Sequence, residues 1–429
     1  MSYMKTLIRS SLESADAEAD LPAVNSDPVV GDQLDPEIST AMTLAAHQQG
    51  EIDDLEASVE SHFVAVGSLL SIADSLESLT PVAVPHVQGA LCASLESALV
   101  SVATPQFTDA MVQEVKESIQ ADASHSQDAA KSVQSKAREI FQRLVDFLKG
   151  LWRKFAQMMS NIFNAIVGVK TRVKRFNERV AKRDLSVTPK DANLPIDKDN
   201  HKSIYASLYW KDTFTSQAAG LVDALSKVQT AVNTLDTTFT DRYEADMNRL
   251  EQGFDTKDPA WIKEMANGQI PLPAGFSEIK SDTENGRLWV TGPLPGGNVM
   301  QFQQTVVSVG KFKAAGYDIR VLHREPKSYP DSIPAMDPRD MTQIGDKILK
   351  ILEDSKHGKE LVTKAAQTTE RSARRPPINP TALSLHTLFH NRYRCVTKLS
   401  MRLNALILKT ALATLAWGDA SLALYPNKG

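Results

Sequence analysis

Three side chains near the C-terminus are of types that bind metal ions. His386 and His390 lie four residues apart, so a helix would place both on one face, and Cys395 follows nearby. The zinc-protease motif has a glutamate directly after its first histidine, but Thr387 stands there. Histidines at this spacing are more often packing or surface residues. We therefore predict no metal site and no cofactor.

Paired acids are the other candidates for catalysis. Asp53 and Asp54 lie in a very acidic segment, and Glu353 with Asp354 is expected to be solvated near a helix end. The sequence has no nucleophile-elbow motif, phosphate-binding loop or dinucleotide fingerprint. The glycine-rich run 292–297 contains two prolines, which lack N–H donors and suit a turn. The sequence thus predicts a protein that is not an enzyme.

A repeated tetrapeptide is the most specific signal. Serine, then leucine or valine, then glutamate and serine occur four times, starting at Ser11, Ser58, Ser75 and Ser94, and not after residue 97. These could be ordinary residues of a serine-rich, acidic helix. A protease with successive pockets for a small, an apolar and an acidic side chain would instead cut after each glutamate. The candidate cleavage residues are Glu96, flanked by Ser94 and Ser97, together with Glu77, Glu60 and Glu13.

The net charge conceals an asymmetry along the chain. The 429 residues carry −4 in total, but residues 1–96 contain 16 acids and two bases, a charge of −14. The remaining residues carry +10. Because double-stranded DNA is a dense polyanion, a cut after Glu96 would turn an anionic precursor into a body that DNA attracts. We therefore predict that residues 1–96 are an acidic, partly disordered propeptide.

Hydrophobic spacing predicts a mainly α-helical bundle with a long amphipathic helix and a small inserted β-hairpin or sheet. Residues 1–50 are expected to be mostly disordered, and residues 51–79 to form one helix. Residues 97–183 are expected to form a long amphipathic helix or a helical hairpin with a basic end. Gly150 and Gly168 are the candidate breaks in it.

The C-terminal part, residues 184–429, is predicted to be a helical domain with a β insert at about 285–325. A pair of helices is expected from 380 to 424. No run of 18 apolar residues exists, so we predict no stable membrane insertion. Two cysteines are too few for a disulfide framework.

A basic stretch closes the long helix. It could be a solvated helix face, or it could contact phosphates without reading sequence. Trp152 and Phe155, beside cations, could dock on an anionic membrane, although core packing is the plainer account. The candidate nucleic-acid-binding residues are Lys170, Arg172, Lys174, Arg175, Arg179, Lys182 and Arg183.

Cleavage after glutamate in a small-X-Glu context resembles the rule of prohead proteases in giant tailed phages of the phiKZ type. The plan of the chain is similar to that of their internal head proteins, which form an inner body. Those proteins have an N-terminal propeptide, then a helical stretch with Phe, Trp and Lys, here 140–155, and later a Pro-Leu-Pro-Gly turn, here Pro293–Gly296. Ala137-Arg138-Glu139 also fits the looser rule, but it falls inside the predicted helix.

The resemblance implies a structural protein of the virion. A prohead protease would remove its propeptide, and the body would be packaged with the genomic DNA and other head proteins, and could be ejected with the DNA. The protein would pass through the host cytoplasm during assembly and end inside the phage head. Two alternatives remain open: a virion structural or scaffold protein that does not contact DNA, and an ejected, host-acting enzyme of an unrecognised class.

Overall fold

The structure, a computed structural model, describes residues 36–78, 126–189 and, with short gaps, 192–428; residues 93, 113 and 117 are described singly, as helical. Within these ranges the chain forms eight α-helices and two antiparallel sheets. In chain order the elements are α1 (Pro36–Ser78), α2 (Ser126–Lys182), β1 (Asn193–Pro195), α3 (Asp199–Leu208), α4 (Ala218–Gln252), α5 (Pro259–Ala266), β2 (Phe276–Ile279), β3 (Arg287–Thr291), β4 (Asn298–Val309), β5 (Phe312–His323), β6 (Ser332–Pro334), α6 (Pro338–Asp354), α7 (Gly358–Ser372) and α8 (Pro380–Leu422).

Helix α1 begins earlier than its sequence suggested. The predicted helix over 51–79 is confirmed as far as Ser78, but residues 36–50, which we expected to be mostly disordered, are also helical. Pro36 occupies the first turn, where its missing N–H is not needed. Ile38 is fully buried, and the Gln48 side-chain oxygen accepts a 2.6 Å hydrogen bond from Asn161 of α2. Packing on α2 stabilises this polar first half as helix. The first part of the helix predicted over 97–183 lies outside the described residues, apart from positions 113 and 117.

Helix α2 is one unbroken helix of 57 residues, so the alternative of a hairpin broken at Gly150 or Gly168 is wrong. Gly150 and Gly168 lie within it and contact α1 instead of breaking the helix. A Cβ atom at Gly168 would lie 2.5 Å from Cγ1 of Ile38, and one at Gly150 would lie 3.9 Å from a methyl group of Leu55. Residues 38 and 55 thus face 168 and 150, which shows that α1 and α2 run antiparallel. The glycine at 168 permits close approach of the two backbones.

Helix α8 is a single helix where two were expected. Asn379 caps it, accepting a hydrogen bond from the backbone N–H of Ala382 at 2.8 Å, and no proline or glycine interrupts it before Gly418. Helices α1, α2, α4 and α6 and strand β5 all pack on it, which explains apolar residues all round. Among the described helices, α8 alone has the length and composition to cross a membrane, but 78% of its most apolar window is buried within the protein, as in a core helix.

The β insert is a four-stranded antiparallel sheet in the order β2-β3-β4-β5. Strands β3, β4 and β5 lie within the β insert that was predicted at about 285–325, whereas strand β2 and the small β1–β6 pair were not predicted. Trp289, Phe302 and Ile319 are opposite one another on adjacent strands and are buried. Arg392 of α8 attaches the sheet to the helices by donating to the backbone oxygen of Ala315 at 2.8 Å.

Buried apolar side chains form two clusters. The larger runs through every helix of the body and the inner face of the four-stranded sheet. The smaller one joins the second half of α1, the first half of α2 and Leu383 at the start of α8. Helix α1 contributes to both clusters, although it falls entirely within the predicted propeptide. In the uncut chain it is therefore an integral part of the packed bundle.

Candidate processing and nucleic-acid contact sites

The four tetrapeptide copies divide into two groups. Glu13, Ser94, Glu96 and Ser97 lie outside the described residues. The copies containing Glu60 and Glu77 both lie within helix α1. The structure therefore supplies a local environment for only these two copies.

The copy at 58–61 is held by contacts on two sides. Val59, its apolar residue, is fully buried among the side chains of the smaller cluster. Glu60 forms an ion pair with Arg394 of α8, with 3.0 Å between Oε1 and Nη2. Ser61 donates a 2.8 Å hydrogen bond to the backbone oxygen of Ser58. All of these contacts stabilise a docked, helical conformation.

The copy at 75–78 ends helix α1. Leu76 is fully buried, whereas Glu77 is exposed and accepts a 2.7 Å hydrogen bond from Gln134 of α2. Ser75 and Ser78 donate to backbone oxygens of the preceding turn at 2.8 and 2.7 Å. At both copies the apolar residue that a protease pocket would need faces the core.

The further candidate at Ala137-Arg138-Glu139 lies inside α2, as expected. Ala137 is buried. Glu139 accepts hydrogen bonds from Lys136 and Arg143 at 3.0 and 2.9 Å, and the bond from Lys136 contributes most to lowering the pKa of its carboxyl. This glutamate is part of the exposed ionic surface of an intact helix.

The basic stretch separates into paired and unpaired cations. Lys170 pairs with Glu353 at 3.1 Å, and Arg179 pairs with Asp419 at 2.7 Å. Arg183 donates to the backbone oxygen of Tyr425 at 2.7 Å. These three side chains attach α2 to α6 and to the C-terminal end of the chain. They are therefore partly committed to intramolecular contacts.

The other four cations make no ion pair with any described residue. Arg172 is half-buried, and its Nε atom is buried without a hydrogen-bond partner. The remaining three, which we call the exposed cations, are Lys174, Arg175 and Lys182. They follow one another along the outward side of the last turns of α2, where phosphate groups could reach them.

Acidic side chains of α1 face cations of α2 and α8. Helix α1 has eight acids and no lysine or arginine. We call Glu51, Asp53, Glu56 and Glu60 its acidic face. Glu51 pairs with Lys154 of α2 at 2.6 Å, and this hydrogen bond lowers the pKa of the Glu51 carboxyl.

The partners of the other three acids lie one turn apart in α8. Arg394 pairs with Glu56 and Glu60 at 3.8 and 3.0 Å, while Lys398 pairs with Glu56 and, at 3.9 Å, with Asp53. Burial lowers the pKa of Arg394, but Glu56 and Glu60 outweigh it and raise that pKa overall. Part of the negative charge of the predicted propeptide is thus neutralised by the body.

The two histidines of α8 lie in an aromatic environment beneath α1. His386 and His390 are fully buried; the ring of Phe63 lies 5.9 and 6.1 Å from theirs, and the ring of Trp152 lies 5.4 Å from that of His390. Burial lowers the pKa of His386 to about 4 and the pKa of His390 well below its usual value. Both rings pack within the core, and burial favours the neutral form of each.

Cys395 does not join the histidines in a metal site. Its thiol is buried, and burial raises its pKa. Among the described residues, no group of three histidine, cysteine, aspartate or glutamate side chains is placed to hold a metal ion.

Several buried polar residues were not identified from the sequence. Burial raises the pKa of Asp236 in α4 to about 7, although a hydrogen bond with Ser400 opposes this. Thr369 accepts a 2.8 Å hydrogen bond from the indole of Trp152 and contacts the hydroxyl of Tyr243 at 3.0 Å. These contacts join α2, α4, α7 and α8. No local pattern marks such residues, because each is defined by partners more than a hundred positions away.

Comparison with known proteins gives one family. Residues 40–375 match the model of the phiKZ-like phage internal head proteins. The match includes most of α1, all of α2 and the four-stranded sheet. No curated protein and no solved structure shows a significant match to the chain.

Proposed function

The chain belongs to the phiKZ-like phage internal head proteins, and on that premise we propose that it is a non-enzymatic head component made as an anionic precursor, cut by the prohead protease after Glu96, and packed against the genomic DNA. Residence inside the head follows from the family. The cut, the contact with DNA and any ejection with the genome are our proposal. The observation that carries it is the division of charge, −14 before Ser97 and +10 after it.

The exposed cations support a contact with DNA. Lys174, Arg175 and Lys182 project from the end of α2 without intramolecular ion pairs among the described residues. Lysine and arginine at such positions bind phosphates and release counterions, which gives affinity without base specificity. No helix-turn-helix or zinc-finger pattern is present in the sequence to suggest base readout.

The acidic face of α1 supports the proposed role of the precursor. Its carboxylates occupy cations of α2 and α8 that would otherwise be available to phosphate, most directly Lys154, Arg394 and Lys398. A precursor with these cations covered has less attraction for DNA than the body alone. Removal of residues 1–96 would therefore change both the net charge and the number of available cations.

Mass spectrometry of the protein from purified mature particles tests the proposed cut. We expect peptides from residue 97 onwards and an N-terminus at Ser97. Abundant peptides from residues 36–90 in mature particles would contradict the proposal. Particles stalled before maturation are the matched control, and they should contain the whole chain.

One observation favours a second candidate, a head protein that does not contact DNA. Lys170, Arg179 and Arg183 all bind partners within the chain, so part of the basic stretch serves the fold. In that case the affinity of the cut protein for DNA would be weak and nearly independent of salt. A salt titration on a DNA column distinguishes the two functions.

A further inference from the structure

The two tetrapeptide copies within α1 are inaccessible in the docked helix. A protease binds its substrate in an extended conformation, with side chains in separate pockets, and a folded segment must open before it is cut. Val59 and Leu76, the apolar residues of the two copies, are both 0% exposed. Glu60 is also engaged by Arg394, and Glu77 by Gln134.

Contacts along its whole length hold α1 on the body. Ile38 packs against α2 near one end, and Gln48 is hydrogen-bonded to Asn161. Phe63, Leu69 and Leu70 are buried further along, in the smaller cluster. Since none of these contacts depends on chain continuity, a cut outside α1 leaves them all in place.

We propose that the fold makes processing sequential: the bonds after Glu60 and Glu77 are cut only once α1 has left α2 and α8, so a first cut must fall outside the helix. This rests on the proposed function, because it assumes that a protease acts on the tetrapeptide. Each cut is a hydrolysis in which water adds across the peptide bond. For the copy at 58–61, Glu60 gains the new carboxylate and Ser61 the new amine.

A consequence is that the first cut alone does not release α1. The helix stays bound to the body through its apolar contacts and its acidic face. The cut removes only the covalent tether, which had kept α1 at a high effective concentration near its binding site. The charge of the assembled protein therefore stays nearly unchanged until α1 departs. After departure, the two internal copies allow the released segment to be cut into short pieces.

Limited digestion of the purified full-length chain by a glutamate-specific endoprotease tests this order. The rates of cutting after Glu60 and Glu77 are followed by peptide mapping and compared with those in a synthetic peptide of residues 52–82. We expect both bonds to be cut at least roughly tenfold more slowly in the folded chain, since cleavage follows the small population in which α1 is open.

A pair of matched variants separates opening of α1 from general instability. Phe63→Ala removes a ring that packs on His386 and His390, whereas Phe302→Ala creates a comparable cavity in strand β4, away from α1. We expect Phe63→Ala to speed both cuts by roughly a hundredfold, a change typical of losing a buried ring. Phe302→Ala should leave the two rates unchanged.

Two results would overturn the proposal. One is cutting after Glu60 in the wild-type chain at the rate found in the peptide. The other is equal acceleration by both variants, which would mean that α1 opens only when the whole body unfolds. Neither result bears on whether mature particles contain residues 1–96. A retained N-terminus in particles would instead contradict the proposed function and leave the measured order of cutting intact.

Discussion

Arg394 is a single side chain that contributes strongly to the binding of α1 to α8. It lies largely buried between Glu56 and Glu60, and the side chain of Glu56 is only 10% exposed. Breaking a buried ion pair by removing one partner is costly, because the other charge stays in a poorly solvated position. Lys398, which also pairs with Glu56, limits that cost here.

We therefore expect Arg394→Met to lower the free energy of unfolding by about 2–3 kcal/mol. Urea denaturation followed by circular dichroism measures this change. Lys174→Met is the matched control, because Lys174 is exposed and unpaired among the described residues; it should change stability by no more than about 0.5 kcal/mol. Equal effects of the two variants would show that the ion pairs of Arg394 contribute nothing.

The lowered pKa of buried His386 makes the stability of the protein depend on pH. Its pKa falls from 6.5 to about 4 on folding, so the unfolded chain binds the proton more tightly. The contribution of neutral His386 to the free energy of unfolding is therefore fully present above pH 6.5. It is lost as the pH falls towards 4, and the total loss is about 3 kcal/mol. His390 acts in the same direction, whereas Asp236, with its raised pKa, acts in the opposite one.

The difference in unfolding free energy between the wild type and His386→Phe isolates this contribution, because Asp236 is common to both. It should shift by about 3 kcal/mol in favour of the variant between pH 7 and pH 4. Urea titrations at several pH values provide the measurement. A difference that stays constant with pH would contradict a neutral, buried His386.

The close approach of α1 to α2 near Ile38 depends on one glycine. Gly168→Ala would place a Cβ atom 2.5 Å from Ile38, so the first turns of α1 must move. We expect a net loss of about 1–2 kcal/mol, since overpacking outweighs the better helix propensity of alanine. Hydrogen exchange of the first turns of α1 should quicken.

Gly50→Ala is the matched control, because Gly50 also lies within a helix but nothing stands within 4 Å of the added Cβ. That variant should gain up to about 1 kcal/mol from propensity alone. If both variants behave alike, the close approach at Gly168 has no energetic weight.

The sequence predicted those elements whose apolar residues repeat regularly. Hydrophobic spacing identified the long amphipathic helix α2, and the β insert predicted at about 285–325 contains β3, β4 and β5. The first half of α1 was missed because its own pattern is weak and its helix depends on packing against α2. Helix α8 was predicted as two helices because apolar residues occur on all of its sides. No amphipathic stripe therefore indicated that the helix is continuous.

The sequence could not predict which cations of the basic stretch are paired within the chain. Seven cations in 170–183 look equivalent in the sequence, but their environments depend on distant partners. Glu353 and Asp419, which pair with Lys170 and Arg179, lie 183 and 240 residues further along the chain. Local spacing contains no information about such pairings.

If the body binds DNA as proposed, its affinity should fall with salt by an amount set by the number of phosphate contacts. Replacing the exposed cations Lys174, Arg175 and Lys182 by glutamine should reduce the slope of log affinity against log salt by about 2.7, or about 0.9 for each phosphate contact. Fluorescence anisotropy of the body, residues 97–429, with duplex DNA measures this slope. Lys170→Gln, which removes a paired cation, is the control and should change the slope far less.

Antiparallel pairing also fixes where the two ends of α1 lie. The helix has 43 residues, so its ends stand about 65 Å apart: Pro36 near the Gly168 end of α2 and Ser78 near the Gln134 end. The chain thus enters and leaves α1 at opposite poles of the bundle. Cuts directly before and directly after α1 would therefore fall about 65 Å apart.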